Sequence, residues 1–209
     1  MSRPNGAAGR IGEVIATSTV EFTAQSHDLH ALPALGSLVL VAAARGAAAA
    51  EIVAAVAYGE TAGIDAGRRP VRRGSDEVFD EAIYREHPEL RHVLRTTFRA
   101  RIVGFVEGDR PRRFLPPTPP PLHFSVRACP PATVRAFTDD LLYLRALLAG
   151  DSVVSAEQLI AAHIRAVYHA RGADDAWLAA AGREVARLLK DDYDRLLTVL
   201  QSIDPLAIA

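Results

Sequence analysis

The apolar residues of this chain change period once, at Cys129-Pro130-Pro131. Upstream they alternate or form short continuous runs, as strands do. Downstream they recur at helical spacing. That single switch predicts an α+β protein, β first and α second, with several short strands and no helices alternating between them. Strands in that arrangement close as a sandwich or a barrel.

The upstream half, residues 1–130, reads as one β unit, a sandwich or a small β-barrel. Arg10–Ser18 and Thr19–Ser26 are short runs rich in Val, Ile, Thr and Phe, and in the second Val20, Phe22 and Ala24 alternate with Glu21, Thr23 and Gln25. SLVLVAA (37–43) and EIVAAVAY (51–58) are near-continuous apolar runs, joined by a hairpin connection at Gly46 and the alanines after it. TTFRARIVGFVE (96–107) is the clearest strand, and Gly104 inside it fits a bulge or a barrel bend. Gly108-Asp109-Arg110 turns the chain, and Arg112–Leu115 is expected to return as its partner. LPPTPPP (115–121) lacks amide donors and is expected as an extended arm, followed by a last strand over Leu122–Arg127. The polar loop GIDAGRRPVRRG (63–74) and a helical insertion at about 76–94, divided by Pro88, interrupt the strands.

Residues 131–209 read as an α-helical domain of about three helices. The first carries Val134, Phe137, Leu141, Leu144 and Leu148 and stops at Gly150. A capping box at Ser155–Gln158 opens the second, which Gly172 closes. The third runs from Asp174 or Asp175 to about Ile203. Its near-heptad stripe, including Leu178, Val185, Leu189, Leu196 and Leu200, is longer than two neighbouring helices need, which makes those residues a candidate interface; the alternative is that the helices simply pack on the barrel or on each other.

Composition removes several classes of function. With 209 residues, 49% of them hydrophobic, and a net charge of −1, the chain is neither a disordered acidic segment nor a basic nucleic-acid tail. Lys190 is the only lysine and lies late in a helical stretch, so no phosphate-binding loop exists. There is also no G-x-G-x-x-G after a strand and no G-x-S-x-G elbow. No run is long and apolar enough to cross a membrane, and the opening MSRPNGAAGR lacks a secretory apolar stretch. The single cysteine, Cys129, fits a reducing compartment. A soluble cytoplasmic protein is expected, without a catalytic residue, cofactor or metal of its own.

A few residues invite chemistry. Cys129 precedes a helix start but is expected to be an ordinary buried cysteine. His27-Asp28-x-His30 offers half of a metal site without further ligands, and a solvated loop is expected instead. His87 and His92 are expected on the surface, and Asp191, Asp192 and Asp194 form a solvated face. The arginine-rich loop has two readings. Arg68, Arg69, Arg72 and Arg73, with Arg112 and Arg113 as a second basic spot, could grip a phosphate-bearing partner. Alternatively, the loop arginines pair with Asp76, Glu77, Asp80 and Glu81.

The upstream half resembles the HAS barrel, the small β-barrel shared by HerA-type DNA translocases and the ATP synthase subunits. RIGEVIATSTVEFTAQS is similar to its first hairpin, and GSLVLVAA and AEIVAAVAYG to its next two strands. Residues 94–129, through the proline-rich arm and the short strand, are similar to the later strands of stand-alone bacterial members. In that family the barrel crowns a hexameric motor ring and, in HerA, helps dock a nuclease. The motor is missing here and a helical tail takes its place.

The resemblance therefore implies assembly and docking. The expected function is a non-catalytic module that self-associates or binds a HerA-type ATPase or a related DNA-processing partner. The alternative is a nucleic-acid-binding β-barrel that uses the arginine loop.

Overall fold

The computed structural model describes residues 9–43, 50–65, 67, 70–149 and 153–203. Gly46, Arg68, Arg69 and Gly150, each singled out above, lie outside the described residues.

The described residues form seven antiparallel strands: β1 (Arg10–Thr17), β2 (Glu21–Ser26), β3 (Leu38–Ala42), β4 (Ala50–Gly63), β5 (Leu94–Glu107), β6 (Arg110–Arg112) and β7 (Ser125–Ala128). Their order is β2-β1-β7-β3-β4-β5-β6, and a further β2–β5 pairing closes six of them into a barrel. β6 is appended outside this ring on β5, through Phe105↔Arg112 to Glu107↔Arg110. The partner strand expected over Arg112–Leu115 is thus shorter and starts earlier. The ladder stops where the Arg113 side chain binds the Ala136 and Phe137 carbonyls, and Pro116 and Pro117 a few residues on supply no amide to resume it. After the proline arm, β7 inserts between β1 and β3.

Period two explains why some strands alternate and others are wholly apolar. Val14, Phe22, Ala24, Val39, Val41, Ile52, Ala54, Val56, Phe98, Ala100, Ile102 and Val126 point inward and fill the barrel. The alternate residues Leu38, Leu40, Val53, Ala55, Ala57 and Val103 point outward into a second core that they share with the helices. β3 and β4 are buried on both faces, so their sequence is a continuous apolar run. β2 buries one face and alternates.

The β5 register slips opposite Val53/Ala54, next to Gly104. A Cβ at Gly104 would strike the Arg112 carbonyl and come within 2.9 Å of the Phe137 ring, so this bulge is also where a helix rests on the barrel.

Two short helices, α1 (Glu81–Glu86) and α2 (Leu90–Val93), lie between β4 and β5. They occupy less of the expected insertion than 76–94, because Asp80 adopts a left-handed φ of 51° and Pro88 separates the two turns. Downstream are α3 (Pro131–Thr138), α4 (Leu144–Leu148), α5 (Ala156–Ala170), α6 (Asp175–Leu188) and α7 (Tyr193–Ser202). Among the described residues five helices therefore follow the barrel, where about three are expected from the sequence.

The first expected helix ends at Thr138 because other parts of the chain take its last carbonyls. Arg113 donates to Ala136 O and Phe137 O, Arg171 to Arg135 O, and Trp177 Nε1 to Thr138 O. The third expected helix breaks at Asp192, whose carboxylate accepts from the Arg195 N–H and starts α7. α7 folds back onto α5, where Arg165 donates to Ser202 O at 2.6 Å and Arg195 pairs with Glu157. The second helix follows expectation, with Ser155 Oγ accepting from the Gln158 N–H.

Candidate functional site

β4 and β5 pair along their whole length, from Ala50↔Glu107 to Gly63↔Leu94. β3 accompanies β4 only over Glu51–Ala55. β2 accompanies β5 only over Thr97–Arg101. The far end of the β4–β5 ribbon therefore stands beyond β3 and β2 and carries the insertion. Two clefts open there, one on each side of α2.

The first cleft, of about 570 Å³, is lined by Ile64, Val71, Leu90, Val93 and Leu94, with Arg73 among its lining residues. Ile64, Val71 and Val93 are 50%, 70% and 52% exposed, far more than core residues of their type. Among the described residues, neither Arg72 nor Arg73 forms an ion pair with Asp76, Glu77, Asp80 or Glu81. Arg73 does lower the Glu89 carboxyl, but as the weakest of several causes. A hydrogen bond from Glu89's own backbone N–H leads, and His87 follows.

The second cleft, of about 560 Å³, lies between the turn at His27–His30 and α1–α2. Tyr84, Arg85 and Arg91 also line it. His30 has φ of 66°, uncommon for a residue with a Cβ. Its backbone N–H donates to Thr96 Oγ1 at 2.7 Å, and Thr96 is in turn 2.8 Å from Thr61 Oγ1. His30 Nε2 and Tyr84 Oη are hydrogen-bonded at 2.7 Å, with the rings edge to face. The loop expected at His27-Asp28-x-His30 is thus one wall of a polar cleft. Among the described residues no group of three or more His, Cys, Asp or Glu side chains is placed to hold a metal ion.

The two basic spots are not one surface. Arg72 and Arg73 belong to the insertion beyond the Gly63↔Leu94 end of the ribbon, whereas Arg112 pairs with Phe105 near the Ala50↔Glu107 end. Arg112 forms an ion pair with Glu107 at 3.5 Å. Arg113 is spent on the carbonyls of α3, lies over the Phe137 ring and faces Asp140. The interface candidates also turn inward. Leu178, Val185 and Leu189 are buried in the core shared with the barrel, and Leu196 and Leu200 pack against it.

Cys129 is partly exposed, and burial pushes its thiol up to about 12, so it carries no thiolate at neutral pH.

One buried polar residue carries a local signal in the sequence, although His163 and His169, six apart, do not share a helix face. His163 stands among Leu159, Ile160, Ile164 and Val167 on the apolar face of α5 and is fully buried. A polar side chain inside an apolar stripe must find partners. No comparable hint marks the His30–Tyr84 pair, whose members are 54 residues apart.

No helix is long and apolar enough to cross a membrane among the described residues. No protein-family profile matches the chain, and no curated protein matches it.

Proposed function

We propose that this chain is a non-catalytic assembly module, a HAS-like barrel that docks other proteins in the cytoplasm. Its partner is a HerA-type ATPase or a related DNA-processing protein, or a second copy of the chain. The observation that carries this reading is the apolar cleft at the free end of the β4–β5 ribbon, with Ile64, Val71 and Val93 open to solvent. Contiguous exposed apolar surface marks interaction sites. Arg72 and Arg73 beside it favour a partner segment that is apolar at its centre and acidic at its edge. The likeness of residues 9–130 to a barrel that sits on motor rings supports the choice of partner. The stripe on α6 and α7 is buried or packed against the core and offers no docking surface here.

The test is solution mass by light scattering, alone and mixed with a HerA-like ATPase from the same cell. Association is expected, and Val71→Asp with Val93→Asp should abolish it while leaving the melting temperature unchanged. Unchanged mass in every mixture would sink the proposal.

A nucleic-acid-binding barrel is the second reading, favoured by the absence of ion pairs at Arg72 and Arg73 among the described residues. With Arg68 and Arg69 they would supply the phosphate contacts. Binding would then weaken steeply with salt and fall when Arg72 and Arg73 are replaced by alanine. No retention on DNA or RNA at low salt would dispose of it.

A further inference from the structure

We infer that the cleft between the His27–His30 turn and α1–α2 binds a small phosphate-bearing molecule that also carries hydroxyl groups, such as a sugar phosphate. Its volume of about 560 Å³ suits a ligand of that size. Arg85 and Arg91 enter it from the two short helices, and among the described residues neither has an ion-pair partner. Two guanidiniums in one cleft match the several oxygens of a phosphate, which they can contact bidentately. The hydrogen-bonded His30–Tyr84 pair adds a further polar group on the same wall. Asp28 and Glu81 also line the cleft and offer acceptors for ligand hydroxyls. They would repel a ligand that is anionic throughout, so the site selects a molecule with a charged end and a hydroxylated body.

The cleft is also built in advance. The left-handed backbone of His30 is a strained conformation, and it is held by its N–H bond to Thr96, a residue only 1% exposed. Strain kept in place by a buried partner concentrates at binding sites. α2 separates this cleft from the apolar one, since Arg91 lines the polar cleft and Leu90, His92 and Val93 line the apolar one. Ligand binding and protein docking are therefore separable.

The experiment titrates the full chain with ribose 5-phosphate, ribose, and a short single-stranded oligonucleotide, followed by calorimetry and by side-chain NMR of His30 and Tyr84. Saturable binding of ribose 5-phosphate is expected, with ribose at least about tenfold weaker. That ratio corresponds to about 1.4 kcal/mol. Arg85→Ala with Arg91→Ala should weaken ribose 5-phosphate at least about tenfold at an unchanged melting temperature. The conservative pair Arg85→Lys and Arg91→Lys should recover part of the loss. Three results would overturn the assignment: no saturable binding, equal binding of ribose, or undiminished binding in the alanine variant. An oligonucleotide that displaces ribose 5-phosphate and binds more tightly through the same residues would assign the cleft to nucleic acid instead.

Discussion

His163 on α5 donates its Nδ1–H to the carbonyl of Gly36, 2.7 Å away in the segment that enters β3. With Nδ1 protonated, the neutral ring accepts from Tyr143 Oη at 2.9 Å through Nε2. Three parts of the chain meet in this bond pair, which is fully enclosed. A buried polar group left unpaired costs more than a made hydrogen bond gains, so the pair fixes how the helices seat on the barrel.

Burial lowers the His163 imidazole from 6.5 to about 4, against a smaller opposing effect of its bond to Gly36. The unfolded chain therefore takes up a proton before the folded one does. Stability is full above about pH 6.5, falls as pH drops toward about 4, and loses on the order of 3 kcal/mol across that window. Urea midpoints at a series of pH values should show this slope, and His163→Gln should flatten it. Equal slopes for the two proteins would show that His163 does not titrate on unfolding.

Gly36 itself tolerates no side chain. Its φ is +80°, and an added Cβ would run into the α5 backbone at Ala162–His163. Gly36→Ala combines left-handed strain with overpacking against backbone, so a loss on the order of 3 kcal/mol is expected in denaturant unfolding. Gly108→Ala has a left-handed φ but nothing near its Cβ, and should cost less.

Arg171 is 8% exposed and donates to Arg135 O, Thr138 Oγ1, Asp139 and Asp174 while lying over the Trp177 ring. Arg171→Met roughly keeps volume but removes these bonds and both ion pairs from a buried position. A destabilisation of about 2–4 kcal/mol is expected by thermal or urea melting. Lys190→Met, at an exposed pair with Asp191, should stay within about 0.5 kcal/mol.

Removing residues 131–209 would uncover Leu38, Leu40, Val53, Ala55 and Val103, which face the helices. The fragment is expected to aggregate or to bind an apolar dye strongly, unlike the full chain. A soluble 1–130 fragment with a cooperative melt and no dye binding would mean that the barrel does not depend on this cover.

The sequence by itself determined the order of the elements. The strand periods at Glu21–Ser26 and Leu94–Glu107, the double-faced apolar runs of β3 and β4, the Ser155 cap and the switch at Pro130–Pro131 are local signals, carried by neighbouring residues. Only the tertiary structure decided where the helices stop and what their faces cover. α3 ends because Arg113, Arg171 and Trp177 arrive from elsewhere to take its carbonyls, and the stripe at Leu178–Val185 is buried in the core that the helices share with the barrel. It also decided the clefts, because His30 meets Tyr84 only after β5 returns along β4 and carries α1 beside the first hairpin. Periodicity encodes which face of an element is apolar. It holds no information about which distant segment will meet that face, because that choice is made by packing across the whole fold.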